Sequence, residues 1–183
     1  MSNVQTQENA AQAATTLAPA IETTLRELCA KENAVLVEAI VRGSKERRII
    51  EIYVDKPEGI SLEECGALSE KIGEMLEAEK AFPAAYRLEV SSPGVSRPLQ
   101  FSWQYQRNAG RLLALELTSG ASLKGRIGQL LQDAERGEVL VLEAAKASIS
   151  KTAAKKAAAS GAPTYPMEIP LGEIRLAIVE IEF

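Results

Sequence analysis

Ser91 and Ser92 stand directly before Pro93 and Gly94, and a serine held in a tight turn is a possible acyl-transfer nucleophile. That chemistry needs a base beside the hydroxyl, and this 183-residue chain contains no histidine. Ser-His-Asp triads, Cys-His pairs, histidine-bearing zinc sites and histidine general bases are therefore excluded. Chemistry built on lysine or carboxylates survives that filter but has to show its own motif. No P-loop, GxGxxG or GxSxG is present. The two cysteines, Cys29 and Cys65, lack CxxC spacing, and each falls on an apolar-periodic position of a predicted helix. They read as buried free thiols, with a disulfide joining the two helices as the alternative. The expectation is a binding protein with no catalytic residues, no metal and no cofactor.

Charge narrows what it binds. Residues 1–96 carry 10 Lys and Arg against 16 Asp and Glu, net −6, whereas residues 97–183 carry 11 against 9, net +2. An acidic front half joined to a mildly basic back half suggests two modules. It is not the footprint of a strong, nonspecific nucleic-acid binder, so any RNA contact should be local or shared with a protein partner. Aromatic residues make up 4% of the chain, which argues against an extensive base-stacking surface. The absence of a long apolar run and the polar N-terminus argue against a transmembrane helix or secretory signal, and the expected location is the cytoplasm.

The elements that position these residues can be read from spacing. Residues 1–15 form a polar lead. Leu17, Ile21, Leu25, Leu28 and Cys29 make one apolar stripe of a helix that tolerates Pro19 only in its first turn. Two β-branched runs, Val35–Val41 and Ile49–Val54, flank a polar turn and read as a hairpin. Lys45, Arg47 and Arg48 sit at its tip, either as a solvated turn or as an RNA-phosphate contact. Ser61 and Glu64 form a capping box for a second helix with Leu62, Cys65, Leu68, Ile72, Met75 and Leu76 on one face. Tyr86–Val90 alternates as a strand. Residues 16–92 are thus expected to be an N-terminal α/β sandwich domain of order α-β-β-α-β, within an overall α+β fold.

Phe101, Trp103 and Tyr105 cluster three aromatics that are expected to cap a core, with stacking on bases as the alternative. About five short strands follow, and Gly125 and Gly128 mark sharp bending in the second. Residues 101–183 therefore read as a small SH3-like or Sm-like β-barrel. Its third and fourth strands are separated by an Ala/Lys-rich insert, 144–166, with Lys146, Lys151, Lys155 and Lys156. Such an insert reads as an extended loop or a marginal helix.

Between the two modules, residues 93–100 carry the stiffest local chemistry in the chain. Pro93-Gly94 suits the centre of a type II turn, in which Gly accepts a positive φ. Pro98 holds Arg97 extended. The segment therefore reads as a shaped connection, and Ser91 and Ser92 as turn residues.

Leu88–Leu99, LEVSSPGVSRPL, resembles the signature of the bacterial ribosome maturation factor RimP family, usually LEVSSPG, two variable positions and RPL. Ile52–Cys65 and Ile169–Ile174 resemble other parts of the same family, so the resemblance runs over roughly 17–183. It implies a non-catalytic assembly factor with an N-terminal α/β domain and a C-terminal SH3-like barrel. The implied partner is the immature small ribosomal subunit, through small-subunit rRNA and a ribosomal protein near the decoding centre. No membrane and no small-molecule substrate are implied, and the expected state is a monomer. Ser91, Ser92, Pro93, Gly94, Arg97 and Pro98 would be the binding signature and junction, and Lys124 and Arg126 a barrel face for the ribosomal partner. Ser96 stands where the family usually has an acid; if that acid pairs with the motif's arginine, Arg97 is expected to use a different partner. The alternatives are a general Sm-like RNA-binding module and, last, an enzyme using lysine or carboxylates.

Overall fold

Pro19 opens the first helix because its missing N–H would have no partner there in any case. The computed structural model describes residues 16–44, 47–145 and 164–182. The lead at 1–15, Lys45 and the insert lysines Lys146, Lys151, Lys155 and Lys156 lie outside the described residues. The chain divides into two compact units after Ser92.

The first unit runs α1 (Pro19–Lys31), β1 (Val35–Arg42), β2 (Arg48–Asp55), α2 (Leu62–Ala78) and β3 (Tyr86–Ser91). Strand order is β1-β2-β3, with β1 antiparallel and β3 parallel to β2. The parallel step is possible because α2 carries the chain back between β2 and β3. Ser61 accepts the Glu64 N–H at 3.2 Å, and Glu64 returns to accept the Ser61 N–H at 2.8 Å. One core cluster joins Leu25 and Cys29 of α1, Cys65, Leu68, Ile72 and Leu76 of α2, and Leu36, Ile50, Ile52 and Val54 of the sheet. Both helices therefore cover the same sheet face, as their apolar stripes require. Leu62 departs from the expected stripe. It is 90% exposed, because the first residue of the helix lies ahead of the part that packs.

The second unit contains α3 (Ser102–Arg107), β4 (Leu112–Leu117), β5 (Ser122–Asp133), β6 (Gly137–Glu143), β7 (Met167–Pro170), a 3-10 turn (Leu171–Glu173) and β8 (Ile174–Val179). The sheet is antiparallel throughout, in the order β7-β6-β5-β4-β8. The expected small barrel is not closed: β7 and β8 are both edges, with no ladder between them among the described residues. The sheet must nevertheless curl. Five flat strands would set the edges about 19 Å apart at the usual spacing. The step from Pro170 to Ile174 reaches at most about 14 Å even fully extended. The bend falls where the glycines are. The β5–β6 register shifts between Ile127 and Leu130, and a Cβ on Gly125 would come within 2.4 Å of the Glu143 carbonyl oxygen. Side chains from all five strands and Tyr105 share the second core.

The six-residue α3 is held by side chains more than by propensity. Gln104, 2% exposed, accepts the N–H groups of Gln100 at 2.7 Å and Phe101 at 3.0 Å. Asn108 donates to the Gln104 carbonyl at 2.8 Å and accepts from Arg111 at 2.9 Å. These bonds satisfy buried amides that would otherwise each cost about 1–3 kcal/mol.

Candidate functional site

Strand β3 delivers the segment singled out above. Ser91 ends the strand in register with Tyr53, and Ser91 and Ser92 are exposed. Pro93 is buried, and Gly94 takes φ +61°, the left-handed value that favours glycine. A Cβ on Gly94 would meet nothing within 4 Å, so backbone conformation alone selects glycine here. Val95 and Leu99 pack on the second core, and the Leu99 N–H donates to the Ala177 carbonyl at 2.8 Å. Residues 93–100 are thus built into the second unit at more than one point. Arg97 is half-buried and does not lack a partner, even with Ser96 beside it. Burial pulls its pKa below the usual guanidinium value.

The backbone of Ser92 is hydrogen-bonded to the Cys65 thiol. Cys65 is buried and its pKa is raised, first by that burial and then by Glu64 and Asp55. Burial likewise pushes the Cys29 thiol up to about 11. Both cysteines are free thiols.

The expected basic surfaces turn out differently. Lys124 and Arg126 share one face of β5, but each is paired with a carboxylate past the end of β8. Lys124 is ion-paired to Glu180. Arg126 makes a two-pronged bridge to Glu182 at 2.9 and 2.7 Å and also donates to the Gly110 carbonyl at 2.9 Å. The bridge raises the Arg126 pKa and lowers that of Glu182. This face is close to neutral. In the first unit Arg47 is exposed, while Arg48 lies over the Phe82 ring at 4.8 Å. Phe82 in turn packs against Tyr86 at 5.4 Å.

Residues 24–96 match the model of the RimP N-terminal domain, a stretch that ends inside the SSPGVS turn. The chain carries a RimP N-terminal domain. That domain is the N-terminal part of RimP proteins, ribosome maturation factors that serve small-subunit assembly. The matched stretch takes in all of β1, β2, α2 and β3, together with Ser91, Ser92, Pro93 and Gly94.

Within this chain, two features were not legible in the sequence. Of the three aromatics expected to cap a core, only Tyr105 does so, at 4% exposure. Phe101 and Trp103 are half-buried, lie outside that core cluster, and stack on one another at 5.6 Å with 7° between their planes. The second feature is a shallow groove of about 380 Å³ on the outer face of β5, β4 and β8. Ala114, Leu176 and Ile178 line it beside Glu116 and Lys124. Alternation along the strands could have flagged its apolar floor. No helix among the described residues is long and apolar enough to cross a membrane.

Proposed function

We propose that this chain binds the immature small ribosomal subunit transiently and promotes its maturation by binding alone, in the cytoplasm and as a monomer. The match of residues 24–96 to the RimP N-terminal domain carries this reading. The zero histidine count supports a non-catalytic reading.

The second unit supports an SH3-like reading in its order of pairing. Numbered within the unit, its strands run 5-1-2-3-4, with a 3-10 turn before the last. That is a small curled sheet suited to docking a protein segment on its outer face. The groove by Ala114, Leu176 and Ile178, with Lys124 and Arg126 neutralised by Glu180 and Glu182, fits a ribosomal protein near the decoding centre better than bare RNA. Ser91, Ser92, Pro93, Gly94, Arg97 and Pro98 form the shaped connection, and Arg47 and Arg48 are the RNA-facing candidates of the first unit. A general Sm-like RNA binder would instead show high affinity for free RNA and a steep salt dependence.

A deletion strain tests the proposal. It should accumulate small-subunit precursors, and a plasmid copy of the gene should clear them. Normal subunit profiles in the deletion would refute it.

A further inference from the structure

The proposed partner contains RNA, and one feature of the second unit has the chemistry to read it. Phe101 and Trp103 are near-parallel and 5.6 Å apart, the geometry of an offset aromatic stack. The Arg107 guanidinium lies over the Trp103 ring at 5.2 Å. A stacked ring pair with a cation over one ring face matches a planar ligand joined to a phosphate, which would stack on the Phe101 side.

Both rings are half-buried, yet neither belongs to the second core nor packs against it, while Tyr105 from the same short helix does. The element beneath them is fixed. Buried Gln104 holds the Phe101 backbone, and Asn108 ties the end of α3 to Arg111. A stacking surface on a fixed element loses less entropy on binding than one on a loose loop.

Charge gives an independent argument. Between Glu89 and Glu116, residues 90–115 contain three arginines (Arg97, Arg107 and Arg111) and no Asp or Glu, net +3 in a chain whose total is −4. An acidic protein thus carries an acid-free, arginine-bearing stretch around its stacked aromatic pair. Phosphate is the complement of that stretch.

We infer that Phe101 and Trp103, with Arg107, form a stacking site for an unpaired nucleobase of RNA, within a stretch of the chain whose net positive charge suits its phosphates. This rests on the maturation reading for its biological ligand, but not for its chemistry. A single site of two rings is compatible with the low aromatic content, which excludes only an extensive platform.

Trp103 is the sole tryptophan of the chain, so its fluorescence reports this site and no other. Titrating the full-length protein with a short single-stranded oligoadenylate should quench that emission saturably. Affinity should fall as salt is raised, and an RNA duplex should quench little, because its bases are already stacked. Phe101→Leu should weaken oligoadenylate binding about 5- to 150-fold, the range for loss of one base-stacking partner. Arg107→Gln should weaken it less and flatten the salt dependence. Thermal unfolding of both variants should stay close to that of the wild type, which separates loss of the site from loss of the fold.

Absence of quenching by oligoadenylate would overturn the site, as would unchanged affinity in Phe101→Leu. If Phe101→Leu lost co-sedimentation with subunits but kept its oligoadenylate affinity, the pair would be a protein contact and the inference wrong. If the wild type failed to co-sediment while oligoadenylate binding still required Phe101, the maturation reading would fall and this site would stand.

Discussion

At the scale of the residue, Gly94 is the sharpest case, because nothing but φ selects it. With φ +61° and open space where a Cβ would go, Gly94→Val should destabilise the protein by about 1–2 kcal/mol, the cost of left-handed backbone for a residue with a Cβ. Gly94→Asn should cost clearly less, since asparagine tolerates that region. Chemical denaturation of the two variants checks the order; equal midpoints would show that the turn does not need the positive φ. The thiols make a second prediction. Cys29 is buried with its pKa raised to about 11, and Cys65 is buried and raised as well, both chiefly by burial. Neither should react with a thiol reagent at pH 8 in the native protein, and both should react in denaturant. The sign follows for Cys29: its folded pKa is raised, so its contribution to stability is complete at neutral pH and fades only as pH rises from about 9 to about 11.

At the scale of the element, local chemistry wrote the first unit plainly. The Ser61–Glu64 capping box, the apolar stripe of α2 and the β-branched runs of β1 and β2 all depend on neighbours within a few residues, so spacing revealed them. What spacing did not reveal depends on distant partners. The six-residue α3 is too short to show periodicity and is held through buried Gln104. The basic face of β5 was legible as Lys124 and Arg126, but their neutralisation comes from Glu180 and Glu182, some 56 residues away. The edge-to-edge course of the second sheet likewise follows from the short 3-10 turn before β8, which no propensity announces. Two carboxylates at element ends, Glu64 exposed and Asp133 half-buried, set the acid limb of stability. Asp133 is held at about 2 by the Arg136 N–H, the Arg136 guanidinium and the Glu135 N–H. Glu64 is held at about 2 by Lys56 and the Ser61 N–H. Both folded values are depressed, so the stabilisation is present above the ordinary carboxylate range and is lost as pH falls toward 2. The melting temperature should therefore drop between pH 5 and pH 2. The drop should shrink in Asp133→Asn, Glu64→Gln and in high salt, because exposed pairs are screened. An acid limb identical in the double variant would contradict the assignment.

At the scale of the whole molecule, the two units differ in charge and in what they offer. The half up to Ser96 is net −6 and contains the matched RimP N-terminal domain. The remainder is net +2 and holds the curled sheet, the apolar groove and the stacked aromatic pair. A chain with net charge −4 should not bind RNA tightly through charge alone, so recognition should need the shaped surface of an immature particle. Sucrose-gradient co-sedimentation with purified immature and mature small subunits tests this most directly. The protein should travel with the immature subunits and largely fail to travel with the mature ones. Equal association with both, or with neither, would contradict the account.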